Sequence, residues 1–276
     1  MTITLPAVEE RGISLAEAGC EVRAAGDGAN PTFVGHASVF EVRYAIGNPL
    51  TWGFYEQVAR GAFAKTIAEG DARFLIDHET DKPVSRVSAG TLRLAEDRVG
   101  LAVDSDLNTR KTYVADLVEN LTDGTVTGMS IGFCVVKDEW TTETVETSDG
   151  QQAEIELRTI LEVKLVEVSS VTFPASETTD AGLRALETDH ELRDVAAALV
   201  RRGDMAALER RAAFRPELTD FRHLIPEPAA ATRDDAEEPG APTPTIDTQA
   251  RMRGLSLRYG LPLAQVATTT EEGAAS

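Results

Sequence analysis

Cysteine, basic charge, histidine and long apolar runs are all scarce in this chain, and each scarcity removes a class of function. The two cysteines, Cys20 and Cys134, stand far apart, which gives no disulfide framework and points to a reduced, cytoplasmic setting. Lys and Arg number 27 against 46 Asp and Glu, for a net charge of −19. Direct nucleic-acid binding is therefore not expected, because phosphate contacts need a basic face. No run is long enough to span a bilayer. The opening Met1-Thr2-Ile3-Thr4-Leu5-Pro6-Ala7-Val8-Glu9-Glu10 has neither a basic n-region nor a long apolar core. The expectation is a chain neither exported by a signal peptide nor embedded in membrane. Histidines and cysteines lack metal-ligand spacing, so no metal or cofactor is expected. The histidines are four, His36, His78, His190 and His223, which narrows the search for any general base.

What is present is enough apolar residue, 42% of 276, for one good-sized core with appendages. Residues 1–30 read as a flexible N-terminal arm. Strands dominate residues 31–180, with a first strand at Phe33-Val34-Gly35-His36-Ala37-Ser38-Val39-Phe40 and a hairpin around Glu96-Asp97-Arg98. Residues 109–122 have helical spacing and stop at Asp123-Gly124. Residues 139–158 read as a polar hairpin turning at Ser148-Asp149-Gly150 and projecting from the core. The fold class is α+β and β-rich, most simply a closed or nearly closed antiparallel β-barrel with a few flanking helices.

Beyond it, residues 181–225 form a helical extension, two helices broken near Gly203-Asp204. Residues 226–276 form a disordered acidic linker and a terminal segment, in which residues 226–248 are rich in Pro, Ala, Thr and acids. Arg251-Met252-Arg253-Gly254-Leu255-Ser256-Leu257-Arg258-Tyr259-Gly260-Leu261 restores basic and apolar character. That segment reads equally as a short satellite helix or nothing ordered, and as a docking peptide or cleavage site on a tether.

The most informative stretch is Gly128-Met129-Ser130-Ile131-Gly132-Phe133-Cys134-Val135-Val136. Met129, Ile131, Phe133 and Val135 alternate as on a strand packed on one face. Ser130 has Gly128 and Gly132 as same-side neighbours, so its hydroxyl is unobstructed and another backbone can come close. Packing gives no reason for a serine there; a nucleophile does. Serine needs a base. His78 ends Arg73-Phe74-Leu75-Ile76-Asp77-His78, in phase with Phe74 and Ile76, and so points to the apolar side at the mouth of a strand. There an imidazole is partly desolvated yet reachable. In Leu161-Glu162-Val163-Lys164-Leu165-Val166-Glu167, Glu167 shares the parity of Leu161, Val163 and Leu165. An inward carboxylate needs a partner, and His78 is the natural one.

These motifs resemble the prohead maturation proteases of tailed bacteriophages, relatives of the herpesvirus assemblins. The resemblance spans residues 33–174, about half the chain. It comprises Gly35-His36-Ala37-Ser38-Val39-Phe40, Glu56-Gln57-Val58-Ala59-Arg60-Gly61-Ala62-Phe63, Leu75-Ile76-Asp77-His78, Gly128-Met129-Ser130-Ile131-Gly132-Phe133 and Val166-Glu167-Val168-Ser169-Ser170-Val171-Thr172-Phe173-Pro174-Ala175. It implies an assemblin-like fold and a serine endopeptidase with His78 as base, Ser130 as nucleophile and Glu167 as third member. The assemblins use a second histidine in the third place, so a carboxylate departs from them, and His36 is the next candidate for it. The implied substrates are the scaffolding part of the major capsid protein and the protease itself, inside the assembling procapsid. Oligomeric state stays open, and Arg110 or backbone N–H groups are the candidate oxyanion donors.

Two other readings compete. Gly128-Met129-Ser130-Ile131-Gly132 also fits the nucleophile elbow of α/β-hydrolases, but that elbow turns into a helix after the serine, whereas Phe133-Cys134-Val135-Val136 continues as strand. The chain could also be a non-catalytic capsid assembly or scaffolding protein on a protease-like fold. The intact Ser130, His78 and Glu167 set argues against that.

Overall fold

The computed structural model describes residues 8–24, 30–174 and 181–225, with the backbone alone over 181–189. The linker and terminal segment expected after residue 225 lie outside these residues. The described chain is mixed α+β and strand-rich. In order it runs β1 (Glu9–Ser14), α1 (Leu15–Ala18), β2 (Glu21–Arg23), β3 (Thr32–Val39), β4 (Tyr44–Ile46), β5 (Phe54–Val58), α2 (Ala64–Glu69), β6 (Arg73–Ile76), β7 (Ser85–Arg86), β8 (Leu92–Glu96), β9 (Gly100–Asp106), α3 (Thr112–Thr122), β10 (Gly128–Glu146), β11 (Gln152–Val171), α4 (Ala181–Arg202), α5 (Met205–Ala212) and a 3-10 helix (Pro216–Leu224).

The closed barrel expected from the sequence does not form among the described residues. The strands make two open sheets instead. One has seven strands, β1-β10-β11-β5-β4 with β6 and β7 branching from β11; the other has four, β2-β3-β9-β8. The physical cause is the length of β10 and β11, 19 and 20 residues. A strand that long takes two partners on one edge: β5 pairs with Leu157–Ile160 and β6 with Glu167–Ser170, both parallel. The sheet forks there rather than curling shut.

Alternation along β10 holds as read: Met129, Ile131, Phe133 and Val135 enter the main core, with Phe33 and Leu101 of the four-stranded sheet and Phe63 and Phe74. Each such side chain contributes about 1.5–3 kcal/mol on burial. The α3 helix begins three residues later than the pattern predicts and buries Val114 and Leu117.

Of the expected N-terminal arm, the described residues 8–24 hold two strands and a short helix. Residues 9–14 pair antiparallel with β10, placing Gly12 opposite Ser130 and Glu10 opposite Gly132. Ser14 and Glu17 then form a reciprocal cap on α1. The β1 strand is fixed by a buried ionic network. Arg158, 0% exposed, donates to Glu9 Oε2 at 2.8 Å, Glu56 Oε2 at 2.9 Å and Asp138 Oδ2 at 2.7 Å. Arg11 donates to Glu56 Oε1 at 2.6 Å and Asp194 Oδ2 at 2.8 Å, and Arg201 to Glu9 Oε1 at 2.9 Å. Burial alone would raise the Glu9 carboxyl, yet Arg158 and Arg11 hold it down at about 2.

Through Asp194 and Arg201 this network joins α4 to the sheet. A second apolar cluster does the same, packing Ile46, Trp52 and Phe54 against Val195, Leu199, Leu208 and Leu218. The helices at 181–225 thus share a core with the strands. They also cover the base of the β10–β11 hairpin, where Ile155 and Leu157 are buried and Trp140 meets Phe54 edge-on at 4.8 Å.

Candidate active site

Ser130 lies where β1, β10 and β11 run side by side. Directly opposed residues of antiparallel strands share a face. On the Ser130 face its neighbours are therefore Gly12 on β1, Ser169 on β11, and Gly128 and Gly132 along β10. Three of the four carry no side chain. Ser130 is 4% exposed, and its hydroxyl makes no hydrogen bond among the described residues. Backbone pairing continues on both sides of it through Glu146, so a hydrolase elbow is ruled out.

Glu167 reaches this face by a different route from the one parity predicts. Gly132 opposes Glu167 but Phe133 opposes Leu165, so Val166 is the extra residue of a bulge. The bulge reverses the alternation: Leu165 and Val168 point to the core, and Glu167 turns to the Ser130 side. Gly132 makes room for it, since a Cβ there would lie 2.3 Å from Glu167 Oε1. Gly128 likewise accommodates the Pro174 ring.

His78 also arrives otherwise than as the end of a strand. The β6 strand stops at Ile76, and Asp77 and His78 both adopt positive φ, 46° and 59°. Asp and His enter that region more readily than most residues. The turn is held by Asp77 N–H on Ser170 O at 2.9 Å, Thr172 N–H on Asp77 Oδ1 at 3.0 Å and His78 N–H on Ser169 Oγ at 3.3 Å. The imidazole is thereby carried back over the strand next to Ser130.

His78 Nδ1 lies 2.8 Å from Glu167 Oε1, and Ser169 Oγ donates to Glu167 Oε2 at 2.5 Å. Glu167 is 3% exposed, and both of its oxygens are occupied. Because an ionised carboxylate only accepts, Nδ1 carries the proton and a neutral His78 holds its lone pair on Nε2. Burial disfavours the imidazolium, but the hydrogen bond and charge of Glu167, then Glu10 and Asp77, outweigh it and raise the His78 pKa above 6.5.

Sequence reasoning missed Ser169, whose role only the register exposes, and Glu10, which reaches the site through β1. The other histidines lie elsewhere. His36 bonds Ala18 O and Asp97 Oδ2, while His190 and His223 are exposed. Arg110 is exposed, with no side-chain partner among the described residues. No group of three or more His, Cys, Asp or Glu among those residues could hold a metal ion.

The family model described as caudovirus prohead serine protease matches residues 19–193 of this chain. The prohead protease of Enterobacteria phage HK97 is 32% identical over 180 residues, covering 63% of this chain and 70% of that protein. No solved structure matches significantly. Glu10 and Gly12 precede the matched span, whereas the span contains the serine, the histidine and the carboxylate just described. With a family match over more than half its length, this chain belongs to the caudovirus prohead serine proteases.

Proposed function

We propose that this serine peptidase matures a phage procapsid, with Ser130 as nucleophile, His78 as general base and Glu167 as the group that orients and stabilises the imidazole. The observation that carries the assignment is the 2.8 Å bond from His78 Nδ1 to Glu167. It fixes the tautomer that leaves Nε2 free to take a proton, on a sheet face where glycines surround the serine.

In this mechanism Nε2 accepts the Ser130 proton as Oγ attacks the peptide carbonyl. The imidazolium returns that proton to the leaving amine, giving an acyl-enzyme, and His78 then activates the water that releases it. Hydrogen bonds at the nucleophile tighten when substrate binds, so the unbonded Ser130 hydroxyl is compatible with the role. Backbone N–H groups and Arg110 are the candidates for oxyanion stabilisation. The substrates in this reading are the scaffolding part of the major capsid protein and the protease's own chain, cut inside the assembling shell. Support comes from the family and from the HK97 prohead protease.

Co-expression with the phage's major capsid protein tests it, with mass spectrometry of both chains. Wild type should create new termini, and Ser130→Ala should fold normally and create none. Equal processing by the variant would overturn the assignment.

A further inference from the structure

The β1 strand brings a second carboxylate to His78. Glu10 opposes Gly132 and so lies on the Ser130 face. Its Oε2 is 3.9 Å from His78 Nε2, and its side chain is 39% exposed. No Arg or Lys side chain pairs with the Glu10 carboxylate among the described residues, although Arg11 donates to the Glu10 backbone carbonyl at 2.8 Å. His78 thus stands between two acids, Glu167 at Nδ1 and Glu10 at Nε2.

We propose that Glu10 is a positioning residue that pairs with the His78 imidazolium and holds Nε2 away from Ser130 until the proton leaves. The proposal rests on the reading of His78 as the base. The groups around the imidazole make the direction of the effect plain. From β11 come Glu167 and the uncharged Ser169, from β10 Ser130 and Gly132, from β1 Glu10, and from its own turn Asp77. Arg73 opposes Glu167 in register and Lys164 opposes Cys134 farther along the same face, two cations set against the carboxylates of Glu167, Glu10 and Asp77. The charges are therefore acidic on balance. They favour the protonated ring, in which Nε2 carries a hydrogen and cannot accept one from serine. Glu10 sets how far the pH must rise before the base is free, and it does so from a strand that precedes the family-matched span.

The test uses the full chain. Cleavage of a capsid-derived peptide is followed against pH for wild type and Glu10→Gln. The His78 ring is titrated by NMR in a Ser130→Ala background with and without Glu10→Gln, its signal assigned by loss in His78→Gln. Glu10→Gln keeps the side chain's shape and lies outside the buried ion network. The His78 midpoint should fall, and the acid limb of kcat/KM should fall with it, while the high-pH plateau stays. On the acid limb the variant should cleave roughly fivefold faster, the factor given by one charge about 4 Å away in a water-like dielectric. An unmoved midpoint would overturn the pairing. A midpoint that falls in a protein whose Ser130→Ala form still cleaves at the wild-type rate would overturn the catalytic reading, and the positioning role with it.

Discussion

The carboxylate of Glu167 occupies the space that a side chain at Gly132 would need, with 2.3 Å separating Oε1 from an ideal Cβ at that glycine. The glycine is therefore a requirement of the acid and not of the peptide substrate alone.

Replacing Gly132 by Ala should push Glu167 away from His78 while the hairpin still forms. A misplacement of about 1 Å in such a site costs on the order of 10²-fold in rate. Peptide cleavage by Gly132→Ala should fall by about that factor, with a near-native melting temperature. Full activity would mean that the carboxylate has no orienting role.

His78→Ala should abolish cleavage as completely as Ser130→Ala, and the double variant should be no worse, because the two act as one unit. Glu167→Gln should leave residual activity, lower by about 10³–10⁴-fold, since an amide facing Nδ1 favours the wrong tautomer. Ser169→Ala removes a hydrogen bond to each of the other two residues and should cost about tenfold. Single-turnover rates on one peptide would rank these variants; an active Glu167→Gln enzyme would move the third role elsewhere.

Arg158→Ala should be far more damaging to stability than to chemistry. It leaves Glu9 and Glu56, both buried, short of a cation, and breaking a buried ion pair costs about 3–5 kcal/mol. Denaturant titration should show that loss, with β1 released from β10 as an early event in hydrogen exchange.

Burial pushes the Asp194 carboxyl up to about 7 despite Arg11 beside it. A folded pKa above the unfolded one means that the folded state keeps a proton the unfolded state gives up. The resulting stability is present below about 3.8 and is lost as pH rises through about 7. His78, also raised, acts with the same sign, whereas Glu9 is lowered and loses its contribution only in acid. Asp194→Asn should therefore lose less melting temperature than wild type between pH 6 and pH 8. Parallel melting curves across that range decide it.

The sequence by itself determined the elements whose cause is local. Apolar alternation set β10, a 3.6-residue spacing set α3, and Gly203-Asp204 broke α4 from α5. Small neighbours marked Ser130, and the shortage of histidines made His78 the choice for its base. Tertiary structure decided how these residues meet. Parity put Glu167 on the wrong face because a bulge at Val166 depends on the partner strand, not on the residues beside it. Strand phase misdirected His78 because Asp77 and His78 leave the strand, held by bonds to residues about 90 positions away. The barrel failed because an edge can accept two partners, a choice settled by the length of β11 and by what else needs pairing. The role of residues 9–14 was hidden because their charges look like solvent charges until Arg158 and Glu56 are placed beside them. Periodicity is written in neighbouring residues; register, bulges and buried ion pairs are settled only when distant strands come together.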